Sequence, residues 1–199
     1  LKTWDISLNA SKQFASQTAL GTRFSSFIER LEEKFKGPAG DLRVWWGGDQ
    51  TFRQMFNHNI WAAYQFQKQT NGKLVGEMAP WRFNVVNNYR FDHGLLKGAN
   101  VGFGYRWQDG TIQGYGLNAT HDNLDINKPY WSKSEDYLDL WAGYERKLTE
   151  KIRWRIQLNL GSVGDKPRLI PYNVQPDGTP GQYRIQEGMT YTLTNTFSF

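Results

Sequence analysis

The 199-residue sequence contains no cysteine and three histidines. Without cysteine, the chain has no disulfide and no zinc site built from thiolates. His58, His93 and His121 are scattered along the chain, so we expect neither a metal site nor a cofactor. No stretch approaches the roughly 18 consecutive apolar residues that a membrane-spanning helix requires. The sequence therefore excludes a helical membrane protein.

Aromatic residues, in contrast, are abundant. They make up 16% of the chain and include nine tryptophans, although the mean hydropathy is only −0.68. The strands of a membrane β-barrel combine these properties, because every second residue is apolar while the average stays hydrophilic. The formal net charge is +5, but basic residues are mixed with acidic ones along the chain, which argues against a nucleic-acid partner.

The clearest pattern lies at the C-terminus, where apolar residues alternate with glycine, threonine and serine from Gly188 to Phe199 and only Asn195 interrupts. The segment from Ile152 to Leu160 alternates in the same way, with Arg153 and Arg155 between its apolar residues. A period of two places successive side chains on opposite faces of a strand. Arginine on the inner face suits a wet lumen better than the dry core of a sandwich.

Alternation of this kind predicts about six strands separated by three long loops. The predicted strands cover about 2–15, 81–92, 96–118, 135–148, 150–163 and 186–199, and the long loops cover 16–80, 119–134 and 164–185. The three long loops then fall on one side of the sheet and the short links on the other. Short periplasmic turns and longer extracellular loops are typical of an outer-membrane barrel.

Three details refine this prediction. The dipeptide Asp109-Gly110 is a hairpin signal, but a hairpin there would scramble the asymmetry of the loops, which favours one long strand over 96–118. The first loop carries apolar residues at helical spacing over 23–36 and 51–69, which predicts two helices. Four prolines predict that the third loop consists of turns without regular structure.

Closed outer-membrane barrels begin at about eight strands, and an open sheet in lipid leaves edge amides and carbonyls without partners. Six strands do not close. The predicted fold class is therefore all-β, an antiparallel transmembrane β-barrel segment that is incomplete, with a long helix-containing extracellular loop. Missing N-terminal strands or oligomerisation are the two ways to complete it, and we expect missing strands.

Several segments resemble the late barrel strands of TonB-dependent outer-membrane receptors. The similar segments are Trp81–Phe91, Leu96–Trp107, Tyr137–Tyr144 and Trp154–Gly161 followed by Asp165-Lys166. The resemblance implies a 22-stranded barrel with a plugged lumen, whose plug and TonB-contacting segment are expected upstream and absent from this chain. The terminal Phe199 resembles the signal read by the barrel assembly machinery. The implied function is uptake of a scarce nutrient such as a siderophore, another metal chelate or a glycan.

Two groups of residues are candidates for function. Aromatic residues in the predicted extracellular loops could stack on a small-molecule ligand or form loop cores: Trp45, Trp46, Trp61, Tyr130 and Trp131. Charged residues at inward positions line the predicted lumen: Arg82, Arg90, Arg106, Asp139, Glu145, Arg153 and Arg155. The arginines could attract an anionic ligand or pair with Asp139, Glu145 and plug carboxylates.

No serine–histidine arrangement indicates an enzyme. Two alternatives to a transporter stay open at this point. A soluble β-sandwich module that binds carbohydrate predicts a second sheet packed on the apolar face. A porin or adhesin barrel without a plug shares the strands, and only the upstream sequence distinguishes it.

Overall fold

The computed structural model describes residues 3–19, 22–46, 48–73 and 75–199. Six antiparallel strands form one sheet, in which each strand pairs with the next. In spatial order they are β1 (Trp4–Lys12), β2 (Trp81–Arg90), β3 (Ala99–Gln108), β6 (Glu135–Lys147), β7 (Arg153–Gly161) and β10 (Thr190–Ser198). Among the described residues, β1 and β10 each pair on one side only, so the sheet does not close. The prediction of about six antiparallel strands in an incomplete barrel is confirmed.

The links between these strands are long at one end of the sheet and short at the other. We call these the loop end and the turn end. The turn end carries the short links 91–98 and 148–152, and the loop end carries the long links 13–80, 109–134 and 162–189. The loop end holds the ribbon of β4 (Ile112–Leu117) and β5 (Leu124–Trp131), the ribbon of β8 (Arg168–Val174) and β9 (Pro180–Gln186), and the helices α1 (Thr22–Lys36), α2 (Phe52–Phe56) and α3 (Ala62–Thr70). The two predicted helical segments are thus helical.

The prediction of one strand over 96–118 is wrong, because the chain leaves the sheet after Gln108. β3 pairs with β2 and β6, whereas β4 pairs with β5 alone, so no hairpin forms at Asp109-Gly110 either. Gly110 packs so closely on the backbone of Ser132 that a Cβ would overlap it. The Thr111 amide donates to Ser132 Oγ at 2.9 Å. These contacts bend the chain at residues 109–111 into a separate ribbon.

The prediction that the third loop lacks regular structure is also wrong. β8 and β9 form a hairpin around Asp177-Gly178, with Gly178 at a φ of +88°. Pro171 and Pro180 fit into these strands because each strand of a two-stranded ribbon has a free edge, where a missing N–H costs no ladder hydrogen bond. Tyr130 and Trp131, predicted in the long loop over 119–134, lie in β5.

The pairing register gives the six-stranded sheet two chemically different faces. Residues directly opposite each other share a face, and one continuous row runs through all six strands: Ile6, Asn87, Phe103, Leu140, Leu160 and Tyr191. We call this side the apolar face and the opposite side the charged face. Leu8 and Tyr191 on the apolar face are 67% and 77% exposed. Within the described chain no second sheet covers this face, so the two-sheet sandwich is not formed.

The buried apolar side chains instead lie mainly in the helical insert, the described part of residues 22–73. Val44, Phe56 and Tyr64 are each at most 3% exposed. Phe35 of α1 packs on Phe52 and Phe56 of α2 with ring centroids 5.9 and 5.3 Å apart. The apolar stripes of the two helical segments therefore cover each other, as amphipathic helices do.

Side-chain caps hold the ends of these helices. The Arg53 guanidinium donates to the carbonyl oxygens of Phe35, Lys36 and Gly37 at 2.7–3.2 Å, which satisfies the last carbonyls of α1. Thr51 and Gln54 form a capping box at the start of α2. A π-helical turn at Asn57–Trp61 then joins α2 to α3. Among the described residues, no helix has both the length and the apolar character needed to cross a membrane.

Candidate functional site

The apolar face carries an aliphatic band between two belts of aromatic residues. The belt at the loop end consists of Trp81, Phe83, Tyr105, Trp107 and Tyr191, the belt at the turn end consists of Trp4, Tyr89, Phe91, Tyr144, Trp154 and Phe197, and Phe103 lies between them. Phe91 directly follows β2 and is ten residues beyond Trp81, or about 33 Å at roughly 3.3 Å per residue. A strand tilt of about 40° reduces that span to about 25 Å, the height of the apolar band of an outer-membrane barrel.

Two asparagines interrupt this face, and each accepts a hydrogen bond from a tryptophan. Trp4 Nε1 donates to Asn87 Oδ1 across β1 and β2. Trp154 Nε1 donates to Asn195 Oδ1 at 3.3 Å across β7 and β10. An amide without a partner is costly in an apolar medium. The indole donors therefore satisfy the side-chain carbonyl oxygen of each asparagine.

The charged face brings together all seven charged residues that the sequence predicts at inward positions. Arg106 pairs with Asp139 at 3.2 Å, and Asp139 also accepts the Ser162 amide at 3.0 Å. Arg153 pairs with Glu145 at 3.3 Å. Both predicted acids therefore have an arginine partner within the sheet, as the pairing interpretation expects.

The other three arginines leave an excess of positive charge. Arg82, Arg90 and Arg155 have no carboxylate within 4.0 Å in the described part of the chain, and Arg155 donates instead to Gln157 at 2.8 Å. Arg90, Arg153 and Arg155 line a hollow of about 350 Å³ at the turn end, together with Glu145. Three cations facing one anion give this part of the face a positive potential.

The loop end is tied to the sheet by an ion pair that the sequence pattern did not reveal. Arg184 of β9 contacts Glu135 at the start of β6, and this partner raises the pKa of the Arg184 guanidinium. Tyr130 donates its hydroxyl proton to the carbonyl oxygen of Pro176 at 3.2 Å. The two ribbons therefore pack on each other and on the sheet. The sequence contains no local signal for either contact, because both join residues more than 40 positions apart.

The five predicted ligand-binding aromatics fall into two groups. Trp45, at 89% exposure, lies at the tip of the segment between Arg43 and Thr51, and Gly47 beside it lies outside the described residues. A continuous series of ring contacts, each 5.3–6.3 Å between centroids, joins three of the five: Trp45, Trp46, Phe52, Phe35, Phe56, Trp61 and Tyr64. Tyr130 and Trp131 lie apart from it, on β5.

Trp61 also lines a hollow of about 190 Å³ between the helical insert and the link from β4 to β5. We call it the Trp61 hollow. Its other lining residues are Asn57, Ala62, Gln65 and Gln69 from the insert and Asn118, Asp122 and Asn123 from the link. Sequence reasoning found Trp61 but missed the polar residues, because the two segments meet only in the folded chain. The described residues contain no group of three side chains that could hold a metal ion.

No protein-family model matches the chain, and no curated protein matches it. Three solved structures are similar to it. P. aeruginosa FpvA bound to a heterologous pyoverdine and iron shares 19% identity over 66% of this chain, with a TM-score of 0.44. The FpvAI–pyocin S2 complex shares 21% over 63% with a TM-score of 0.42, and the ferric-catecholate import receptor Fiu from E. coli K12 shares 19% over 60% with a TM-score of 0.38.

The chain spans only 14–16% of the length of the three proteins.

Proposed function

We propose that this chain is the C-terminal part of the barrel of a TonB-dependent outer-membrane transporter that takes up a scarce nutrient, such as a siderophore, another metal chelate or a glycan. One observation carries the proposal. A single sheet presents an aliphatic band between aromatic belts on one face and paired and unpaired charges on the other. Lipid covers a face of the first kind, and a water-filled lumen suits a face of the second kind.

The free edges of the sheet support a membrane barrel. In the hydrocarbon region the unpaired amides and carbonyls of an edge cost several kcal/mol each. The outer edges of β1 and β10 therefore need further strands of the same barrel. In this arrangement the loop end faces the outside of the cell, and Phe199 lies at the periplasmic end of β10, where the barrel assembly machinery would engage the strand.

The charged face has a role in a plugged barrel. The excess of arginine around Arg90, Arg153 and Arg155 favours a partner that carries carboxylates. A plug domain from the upstream part of the protein would supply that partner and fill the lumen, and its TonB-contacting segment would couple transport to energy. Electrostatic pairing would hold the plug in place without blocking its movement, since exposed ion pairs are weak.

The test uses the full-length protein that contains this chain, expressed in a Gram-negative host. We expect it in the outer-membrane fraction, with a gel mobility that changes on heating, and we expect growth on the nutrient to depend on TonB. Recovery in the soluble fraction without detergent would overturn the membrane barrel. Outer-membrane recovery with transport that is independent of TonB would leave the porin or adhesin alternative.

A further inference from the structure

We propose that the Trp61 hollow binds a neutral, polyhydroxylated ligand unit, such as one ring of an oligosaccharide. This inference rests on the proposed function and narrows the nutrient to the glycan class. A volume of about 190 Å³ equals about six water molecules at roughly 30 Å³ each. That space suits a single sugar unit at the outer surface of the barrel.

The wall formed by the helical insert presents polar groups around an aromatic ring. Asn57, Trp61, Gln65 and Gln69 recur at intervals of four residues along the π-helical turn and α3, and all four line the hollow. Such spacing places side chains on one side of a helix. Phe56 and Tyr64 hold the Trp61 ring in position, with centroids 6.1 and 5.7 Å away. The ring is therefore a fixed surface on which a ligand can stack.

The polar groups of this wall are available to a ligand. Among the described residues, the side-chain amides of Asn57, Gln65 and Gln69 and the indole N–H of Trp61 make no hydrogen bond to the protein. All four residues keep access to solvent. Side-chain amides both donate and accept hydrogen bonds. They match the hydroxyl groups of a sugar, which do the same.

The opposite wall supplies a fixed acceptor. Asn118 Nδ2 and Thr120 Oγ1 donate to Asp122 Oδ1 at 2.7 and 2.8 Å, and they hold the pKa of this carboxyl below its usual value. Both bonds end on Oδ1, so within the described chain Oδ2 is left without a partner. An ionised carboxylate accepts hydrogen bonds and donates none. The ligand must therefore bring hydroxyl or amide hydrogens.

The charge of the hollow distinguishes between the candidate nutrients. Asp122 is the one charged residue among those lining it, and neither wall contributes a lysine or arginine to that lining. An anionic ferric chelate would be repelled by this carboxylate, whereas a neutral hydroxylated ring would not. Phe24 is an exposed aromatic residue of the same insert that does not line the hollow, so it serves as a control.

The experiment measures binding to the full-length protein in detergent by titration calorimetry. The probes are neutral oligosaccharides of glucose, mannose, galactose and xylose, with a ferric tris-catecholate as the anionic competitor. We expect at least one oligosaccharide to bind, and we expect Trp61→Ala to weaken that binding by about tenfold or more, as for a central aromatic anchor. Asp122→Asn and Gln65→Ala should weaken it several-fold, and Phe24→Ala should leave it within twofold.

Gln65→Ala and Asp122→Asn keep the test valid even if Trp61→Ala misfolds, because neither of them removes a packed aromatic ring. The inference is overturned by failure of every oligosaccharide to bind, by binding that all three variants in the hollow leave unchanged, or by displacement of a bound sugar by the ferric complex. Measuring TonB-dependent uptake by the same protein distinguishes failure of the transporter proposal from failure of the glycan-site inference. If uptake persists while no oligosaccharide binds, the transporter proposal stands and this inference fails.

Discussion

The helical insert and the six-stranded sheet differ in how they place their apolar side chains. The insert buries Val44, Phe56 and Tyr64 within itself, at no more than 3% exposure. The sheet exposes large apolar side chains on β1, β2, β3, β7 and β10, and within the described residues it holds no large buried hydrophobic side chain of its own. The insert is therefore built like part of a water-soluble protein, and the sheet is built for a medium that the chain does not supply.

This contrast predicts separate stabilities. Hydrophobic burial inside the protein stabilises the insert in water, whereas the sheet depends on lipid for its apolar face and on further strands for its edges. Substitutions in one region should leave the other intact. Four substitutions, three in the insert and one in the sheet, test this contrast in order of decreasing expected effect.

The largest effect should follow from Phe56→Ala. Phe56 packs on Phe35 and Trp61 in the core of the insert, and removal of a buried phenylalanine ring costs about 3–5 kcal/mol. Amide hydrogen exchange should show loss of protection in α1 and α3 and unchanged protection in β2 and β3. The control is Ile60→Ala, an exposed position beside Trp61. Equal loss in the sheet would show that the two regions unfold together.

A somewhat smaller effect should follow from Leu193→Arg. Leu193 lies in the aliphatic band of β10, and Thr194 beside it points to the charged face opposite Gln157. Arginine on the lipid face near the bilayer midplane costs about 2–4 kcal/mol. Urea unfolding of the full-length protein in lipid vesicles should show this loss for Leu193→Arg and little loss for Thr194→Arg. Similar losses for both variants would contradict the assignment of the two faces.

Arg53→Lys should cost about 1–2 kcal/mol, because an ammonium group cannot replace the fork that reaches Asp41 and the carbonyl oxygens of Phe35, Lys36 and Gly37 together. The loss should appear as a lower melting temperature of the insert. Arg30→Lys is the matched control, since Arg30 makes one hydrogen bond within α1, to the Ser26 carbonyl oxygen. If both variants melt alike, Arg53 does not cap the helix.

The smallest effect should be a dependence on pH at Glu29. Hydrogen bonds from Lys68 and Tyr64 lower the pKa of the Glu29 carboxyl. Because the folded-state pKa is lowered, ionised Glu29 stabilises the insert at pH values above the unfolded-state pKa of about 4.3. This stabilisation is lost as the pH falls through the folded-state pKa. The melting temperatures of the wild type and Glu29→Gln should therefore converge on acidification. High salt should reduce their difference near neutral pH. If the difference in melting temperature between the wild type and Glu29→Gln stays constant with pH, ionisation of Glu29 is not its cause.

The local patterns of the sequence predict the parts of the fold that depend on a repeating environment. Alternation from Thr190 to Ser198 and from Arg153 to Gly161 identifies both strands and assigns their faces. This is possible because the polarity of each side chain matches the surroundings of the face on which it lies. The stripe from Phe24 to Phe35 identifies α1 for the same reason. These features need no knowledge of distant residues.

The missed features depend on contacts that local patterns do not encode. The β8–β9 hairpin contains Pro171 and Pro180, and only the free edges of a two-stranded ribbon make them acceptable. The break in 96–118 depends on Ser132, which lies 22 residues beyond Gly110. The Trp61 hollow exists because Asp122 and Asn118 are carried against the helical insert by the β4–β5 ribbon. The sequence therefore predicts Trp61 as a candidate ligand residue from its own aromatic ring, but it does not predict the polar neighbours.

The indole–amide pairs of the apolar face have a consequence for assembly. Alternation alone distinguishes a correct strand register from a slip of one residue, which would send every apolar side chain to the wrong side. A slip of two residues keeps the alternation and so escapes that check. Trp4 with Asn87 and Trp154 with Asn195 break this degeneracy, because a two-residue slip leaves an asparagine facing lipid without its donor. Both pairs involve an edge strand of the sheet, whose register is set by pairing with only one neighbouring strand.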